Sequence, residues 1–411
     1  MKKLFTLFVV GASTICLAQH SVFELIDYGL NNSLEIKRAI IDNTNSSTQL
    51  TNSYLDLLPS GSVSVRKNRS YDLEDNTFDS ESSSLSISKS ISLNDPTYYN
   101  IRTNEISNKN SDLSFENKRK QIAANIFWKY VNVLQDNDNL EISKKNLAIL
   151  RRTYEISLIN FENGNITKYD LQNAELNVLN QEILVDEYEN RLNESRHELF
   201  TYINMEDDND ELLAPEIGME IPQIDNYENS DLKILANNIK RSKILLRKQR
   251  LNLFPMPSLN LNYSYGTGTD VLDFDTYEDD LSLGITLSYN IFDIPNLRNN
   301  YIISKRNLEY EKMSYEIEEF DNRKNIDFAL EKLKALQKSY KLQERKLALA
   351  KENYQKAEKQ YELGLIDLNE LETSRVNLFS AQVDKNNKYY EFLKKQEELN
   401  LLISDKILEK Y

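Results

Sequence analysis

Phe161-Glu162-Asn163-Gly164-Asn165-Ile166 returns two hundred residues later as Tyr361-Glu362-Leu363-Gly364-Leu365-Ile366. The register extends both ways: Asp170 meets Glu370, Leu171 meets Leu371 and Asn177 meets Asn377, while Leu140, Leu147 and Tyr154 meet Tyr340, Leu347 and Tyr354. Nearer the N-terminus, Leu58-Pro59 meets Phe254-Pro255 and Leu85-Ser86-Ile87 meets Leu281-Ser282-Leu283 at an offset of 196, so a short insertion separates the two registers. A unit of half the chain is a duplicated domain, not a solenoid repeat. The repeats are predicted over 19–204 and 231–404, with a tail over 405–411. Between them, 205–230 carries Glu206-Asp207-Asp208-Asn209-Asp210-Glu211, then Pro215, Gly218 and Pro222, which reads as a polar, punctuated linker.

Each repeat has the same internal order. A first helix is predicted over 22–58, with Leu25, Ile26, Leu30, Leu34, Ile40 and Ile41 at helical spacing, and over 232–254 in the second repeat. Strand pairs follow at 61–67 with 82–93, and at 258–266 with 280–291, alternating apolar residues with Ser, Asn, Thr or Gly. Transmembrane strands need about 9–11 residues with this alternation. The loops inside the pairs, 68–80 and 266–280, are acidic, as external barrel loops are polar. A soluble sandwich with one wet face would alternate likewise, but four strands per chain leave no second sheet to cover the apolar face.

Long helices come next. Neither 97–162 nor 296–363 holds Pro or Gly, so each could extend roughly 95 Å at 1.5 Å per residue. Val133, Leu140, Leu147, Tyr154 and Phe161 recur every seven residues, as do Leu333, Tyr340, Leu347, Tyr354 and Tyr361. A sustained heptad means coiled-coil packing. Return helices are predicted over 167–203 and 367–403, turned by Gly164 and Gly364, each of which can take the left-handed conformation that ends a helix.

Composition bounds the function. Lys2 and Lys3 precede a mostly apolar stretch, Leu4 to Leu17, too short to cross a bilayer, and Cys16-Leu17-Ala18 reads as a cleavage site. A signal peptide is therefore expected over 1–18. Lipidation at Cys16 would want a small residue before it, and Ile15 stands there. The processed chain would hold no cysteine, which removes disulfide and thiol chemistry. A net charge of −15 argues against nucleic acid as a partner. The two histidines, His20 and His197, join no recognisable catalytic or metal motif, and the acidic clusters of the loops and linker read as solvated, with weak divalent-cation binding the alternative; no enzyme, cofactor or dedicated metal site is expected. Four strands cannot close a barrel, and open edges in lipid cost several kcal/mol per unpaired group. Two copies reach eight strands, the smallest membrane barrel; three reach twelve, wide enough for a conduit.

The duplicated order, the Tyr-Glu-x-Gly hairpin tip, the Leu-Leu-Pro approach to a strand and the opening stretch through Asn31-Asn32-Ser33-Leu34 resemble the TolC family of outer-membrane efflux proteins. The resemblance implies a mostly α fold with a small transmembrane β part: a homotrimer whose β-barrel sits on an α-helical barrel, in the outer membrane and extending into the periplasm. It implies a passive exit duct of a tripartite efflux or type I secretion system. The partners would be outer-membrane lipid, a periplasmic adaptor (membrane fusion protein) and an inner-membrane pump. By position it implies a periplasmic entrance near Tyr361, Glu370, Asp170 and Asp367, and adaptor docking at the tips, Gly164, Asn165, Gly364 and Leu365. The capping alternative is local: acidic residues near a helix start favour its dipole. The chain departs from the family at Phe292-Asp293-Ile294-Pro295, where Phe-Asp-Gly-Gly is common. It departs again in lacking a basic residue over 361–373, and at Ser33, where proline is common. The competing class, an exported structural or adhesive coiled coil, would not need two strand pairs with polar inner faces at matching repeat positions.

Overall fold

The computed structural model describes residues 19–71, 77–215, 218–222, 224, 229–268 and 273–403. The expected signal peptide and C-terminal tail, and the loop acids Asp72, Glu74, Asp75 and Asp270, lie outside these residues. In chain order the elements are β1 (Gln19–His20), α1 (Val22–Asn32), α2 (Leu34–Leu55), β2 (Ser60–Tyr71), β3 (Thr77–Ser92), α3 (Pro96–Glu162), α4 (Lys168–Ile203), β4 (Glu211–Leu212), α5 (Ser230–Leu251), β5 (Pro257–Thr267), β6 (Glu278–Leu287), α6 (Ile294–Glu362) and α7 (Leu368–Ile403). The described residues fall into two compact units, one drawn from 19–37, 118–224 and 324–403, the other from 38–117 and 229–323. Among the described residues, no helix is long and apolar enough to cross a membrane.

The second unit holds an antiparallel sheet in the order β2-β3-β5-β6. The two strand pairs thus join through β3 and β5, with Leu85 opposite Tyr265 and Ser86 opposite Ser264. The expected loop over 68–80 is shorter than predicted, because the ladder continues through Asn68↔Ser80 to Tyr71↔Thr77. Backbone pairing needs no apolar side chains, so the alternation in sequence underestimates these strands. At the other end β6 stops four residues before the predicted 291. Asn290 there accepts a bond from the Phe292 amide at 3.2 Å and starts a 3-10 turn over Ile291–Asp293.

The first unit is helical, apart from a two-residue parallel pairing of β1 with β4 that the sequence did not foreshadow. Its core gathers Leu25, Ile26, Ile122, Ile126, Phe127, Tyr130, Leu199, Phe200 and Ile203. The predicted first helix, 22–58, is instead broken. Ser33 takes φ −62° and ψ 146°, and its hydroxyl accepts from the Ile36 amide at 3.4 Å, so a buried serine ends α1 and starts α2. Those angles are the ones proline prefers.

The heptad reading holds for α6, where Leu333, Tyr354 and Tyr361 are buried and Leu347 is partly so. In α3 the predicted Val133 and Leu140 are buried, but beyond them the deepest positions lie three residues later than predicted: Ser143, Leu150 and Ser157 are buried, whereas Phe161 is exposed. Small residues permit close approach, and their polarity is absorbed locally. Ser157 Oγ donates to the Thr153 carbonyl at 2.9 Å and Thr153 Oγ1 to the Ile149 carbonyl at 3.1 Å.

Candidate functional site

The expected sites fall in two places: the helical hairpin tips in the first unit and the polar face of the sheet in the second.

At both tips the glycine adopts positive φ, +74° at Gly164 and +70° at Gly364. The amide of Asn165 reaches the Asn160 carbonyl at 2.8 Å and that of Gly164 reaches Phe161 at 2.9 Å; Leu365 to Gln360 and Gly364 to Tyr361 repeat both distances. This double closure is a Schellman motif, which satisfies the last helix carbonyls. The duplicated backbones carry different side chains. Asn163 and Asn165 flank one glycine, while Leu363 and Leu365, 74% and 68% exposed, flank the other.

The four predicted entrance residues have distinct settings. Asp170 closes a capping box on α4: its carboxylate accepts from the Thr167 amide at 3.0 Å, and its own amide donates to Thr167 Oγ1 at 3.2 Å. Asp367 starts α7 by accepting from the Glu370 amide at 2.9 Å. Tyr361 is buried among Tyr354, Ala357, Leu368 and Leu371, with its hydroxyl 3.0 Å from Ser157 Oγ. Glu370 is exposed, and among the described residues its carboxylate has no hydrogen-bond partner.

Basic partners lie just outside 361–373. Arg375, 8% exposed, pairs with Glu372 at 2.8 Å and donates to Asn146 Oδ1 at 3.0 Å. Asn146 donates to Gln181 Oε1 at 2.6 Å, and Gln181 donates to Ser143 Oγ at 2.7 Å. This buried chain of bonds joins α7, α3 and α4. Arg152 donates to Glu362 at 3.1 Å. Burial, with Glu358 and Glu372 nearby, pushes the Tyr354 hydroxyl up to about 12, so it stays protonated. The i, i+3 spacing of Glu372 and Arg375 was the available sequence signal.

On the sheet, alternation sorts the side chains completely by polarity on one face. Successive rungs there read Ser64, Ser84, Gly266, Glu278; then Ser62, Ser86, Ser264, Asp280; then Ser60, Ser88, Asn262, Ser282. Facing hydroxyls bond across strands, Ser62 to Ser86 at 2.7 Å and Ser64 to Ser84 at 2.9 Å, and Asn260 donates to Thr286 Oγ1 at 3.0 Å. The opposite face presents Val63, Leu85, Ile87, Leu259, Leu261, Leu281, Leu283 and Ile285, all exposed. Lys89 interrupts it, but its ammonium turns back to the Asp56 and Leu58 carbonyls, at 2.9 and 3.3 Å, capping the turn after α2.

The fold has close counterparts. The crystal structure of the Campylobacter jejuni CmeC outer membrane channel matches with a TM-score of 0.79 at 18% identity, over 95% of this chain and 88% of that one. The open-state MtrE outer membrane channel of Neisseria gonorrhoeae matches at 0.78 and 16%, over 93% and 88%. The outer membrane protein VceC of Vibrio cholerae matches at 0.78 and 13%, over 93% and 94%. At these identities the likeness concerns the fold. No curated protein matches the sequence directly. The family model described as outer membrane efflux protein matches residues 25–205 and 231–404, which is both repeats and most of the chain. The chain therefore belongs to the outer membrane efflux protein family.

Proposed function

We infer that this protein is the exit duct of a tripartite efflux or type I secretion system, a passive outer-membrane channel from periplasm to exterior that performs no catalysis. The sheet carries the argument. Along β3 from Ser84 to Ile91, one face is polar on every rung, the other is apolar and exposed apart from Lys89 and Asp279, and β2 and β6 leave two open edges. An apolar outer face suits lipid, and a hydroxyl-lined inner face suits water. Unpaired edges in lipid call for further copies to close the barrel. Three copies of four strands make twelve, and a homotrimer is the assembly proposed.

The processed chain would run as two repeats, 19–204 and 231–404, around the 205–230 linker, after removal of 1–18. A periplasmic adaptor would dock on the tips at Gly164, Asn165, Gly364 and Leu365, and an inner-membrane pump would supply the cargo. The periplasmic entrance would be lined by Glu370, with Tyr361, Asp170 and Asp367 setting the positions of the helix ends around it. Glu370 is the best candidate for a direct role, because its carboxylate is exposed and uncommitted.

Planar-bilayer conductance of the purified, detergent-solubilised protein tests the reading. Discrete steps are expected, larger or more frequent in a Glu370→Ala, Asp170→Ala double variant. Unchanged steps would discard the entrance assignment and keep the duct. A folded oligomer that never conducts would overturn the duct itself.

A further inference from the structure

The parallel pairing of β1 with β4 brings together side chains 188 residues apart. His20 Nε2 lies 3.0 Å from Asp208 Oδ2 and 3.9 Å from Asp210 Oδ2. The three candidate ligand atoms all fall within 4.8 Å of one another. We propose that His20, Asp208 and Asp210 form a binding site for a divalent zinc-type cation, which fastens the N-terminal strand to the inter-repeat linker.

The surroundings hold the donors in place without neutralising them. The Asp210 amide donates to Asp208 Oδ1 at 3.1 Å, which leaves Oδ2 turned to the imidazole. Asn209 between them has φ +60°, a left-handed step that returns both aspartates to one side. Arg196, the nearby cation, is engaged by the Asp207 carboxylate and donates to the main-chain oxygen of Asp210 at 3.1 Å, not to its carboxylate. The strand pairing is itself secured from below. The buried Tyr130 hydroxyl bridges the His20 carbonyl, at 2.9 Å, and that of Leu213, while the Leu213 amide returns to the His20 carbonyl at 3.1 Å. His20 also packs edge-on against Phe200.

The donor set selects the ion class. A tetrahedral ion with bonds of about 2.0–2.2 Å sets its ligand atoms roughly 3.4 Å apart, and the His20 separations of 3.0 Å from Asp208 and 3.9 Å from Asp210 bracket that spacing. An imidazole donor disfavours calcium and magnesium, which take oxygen, and two carboxylates disfavour soft monovalent copper. Three protein donors leave a fourth position for water. With a neutral imidazole the donors carry two negative charges, which a divalent cation would balance.

Calorimetric titration of the chelator-stripped, tag-free full-length protein with zinc chloride at neutral pH tests the site. The expected result is one saturable ion per chain. Losing an outer-shell partner alone weakens metal binding about 10–100-fold, so His20→Gln and Asp208→Asn should each weaken it at least tenfold. His197→Gln, which changes the other histidine, should leave it intact. Visible absorption of the cobalt form gives a second readout, because four-coordinate cobalt absorbs far more strongly than the aqueous ion, and it should be lost in His20→Gln while circular dichroism shows that variant still folded. Absence of saturable zinc binding to the wild type would overturn the proposal. So would wild-type affinity and an unchanged cobalt spectrum in His20→Gln.

Discussion

The hydroxyl of Tyr361 donates to Ser157 Oγ across 3.0 Å, because Ser157 commits its own proton to the Thr153 carbonyl at 2.9 Å. The bond joins α6 about one turn before Gly364 to α3 about two turns before Gly164. Tyr361→Phe removes the donor and leaves the serine satisfied, so the expected cost is about 1 kcal/mol. Thermal unfolding followed by circular dichroism should show a lowered midpoint at unchanged conductance. An unchanged midpoint with larger conductance would instead make Tyr361 a constriction residue first.

The tip glycines invite a matched comparison. A Cβ at Gly164 or Gly364 would meet nothing within 4 Å, so the cost of Gly→Ala there is conformational alone. A left-handed alanine costs about 1–2 kcal/mol. Gly164→Asn should cost less, since asparagine tolerates that region. Equal losses for Ala and Asn at one tip would point to a contact in the assembled protein that the protomer does not contain.

Gly29 is constrained by space and not by conformation. A Cβ there would lie 2.4 Å from Ile126 Cδ1 and 3.0 Å from Ile203 Cγ2, both on buried side chains. Gly29→Ala should destabilise by about 1–3 kcal/mol through overpacking. Adding Ile126→Val removes the nearer methyl and should recover part of the loss. A double variant no better than the sum of the singles would place the strain elsewhere.

Glu397 predicts a pH dependence. Burial pushes its carboxyl up to about 7, against 4.5 for a free glutamate, although Asn400 donates to it at 2.9 Å. The folded chain holds this proton more tightly than the unfolded one. Its contribution is therefore complete below about pH 4.5 and is lost as pH rises through about 7. At roughly 1.4 kcal/mol per pH unit, the loss is on the order of 3 kcal/mol at most. Glu397→Gln keeps an acceptor for Asn400 and should flatten the stability profile across that window while raising stability at pH 8. Parallel profiles for the two proteins would show that Glu397 does not titrate there.

Much of this architecture is legible in the residues, for physical reasons that also mark where legibility ends. The long helices show because α3 and α6 need only local hydrogen bonds and a sequence free of breakers. The strands show because Leu85 through Ile91 must alternate to face two solvents. Their true length does not, since Asn68↔Ser80 and its neighbours pair through the backbone whatever their side chains. The break at Ser33 was overlooked because the apolar spacing of Leu25 through Ile41 runs across it, although serine favours helix starts and the resembled family commonly has proline there. At the tips, the turn glycines could be read from composition alone. The network from Arg375 through Asn146 to Gln181 could not, because its members lie far apart in the chain. The neighbourhood of His20 was illegible for the same reason: His20 and Asp208 are 188 residues apart.

The paired serines of the sheet have a consequence for what could travel beside them. In Ser62–Ser86 and Ser64–Ser84 either oxygen can be the donor, so each pair can reverse its direction. Such a lining consists of small rotors whose dipoles follow the field of a passing solute, whichever its sign. A wall of this kind resembles a polarisable solvent more than a recognition surface. It would discriminate cargo by girth, and leave chemical choice to whatever loads the duct.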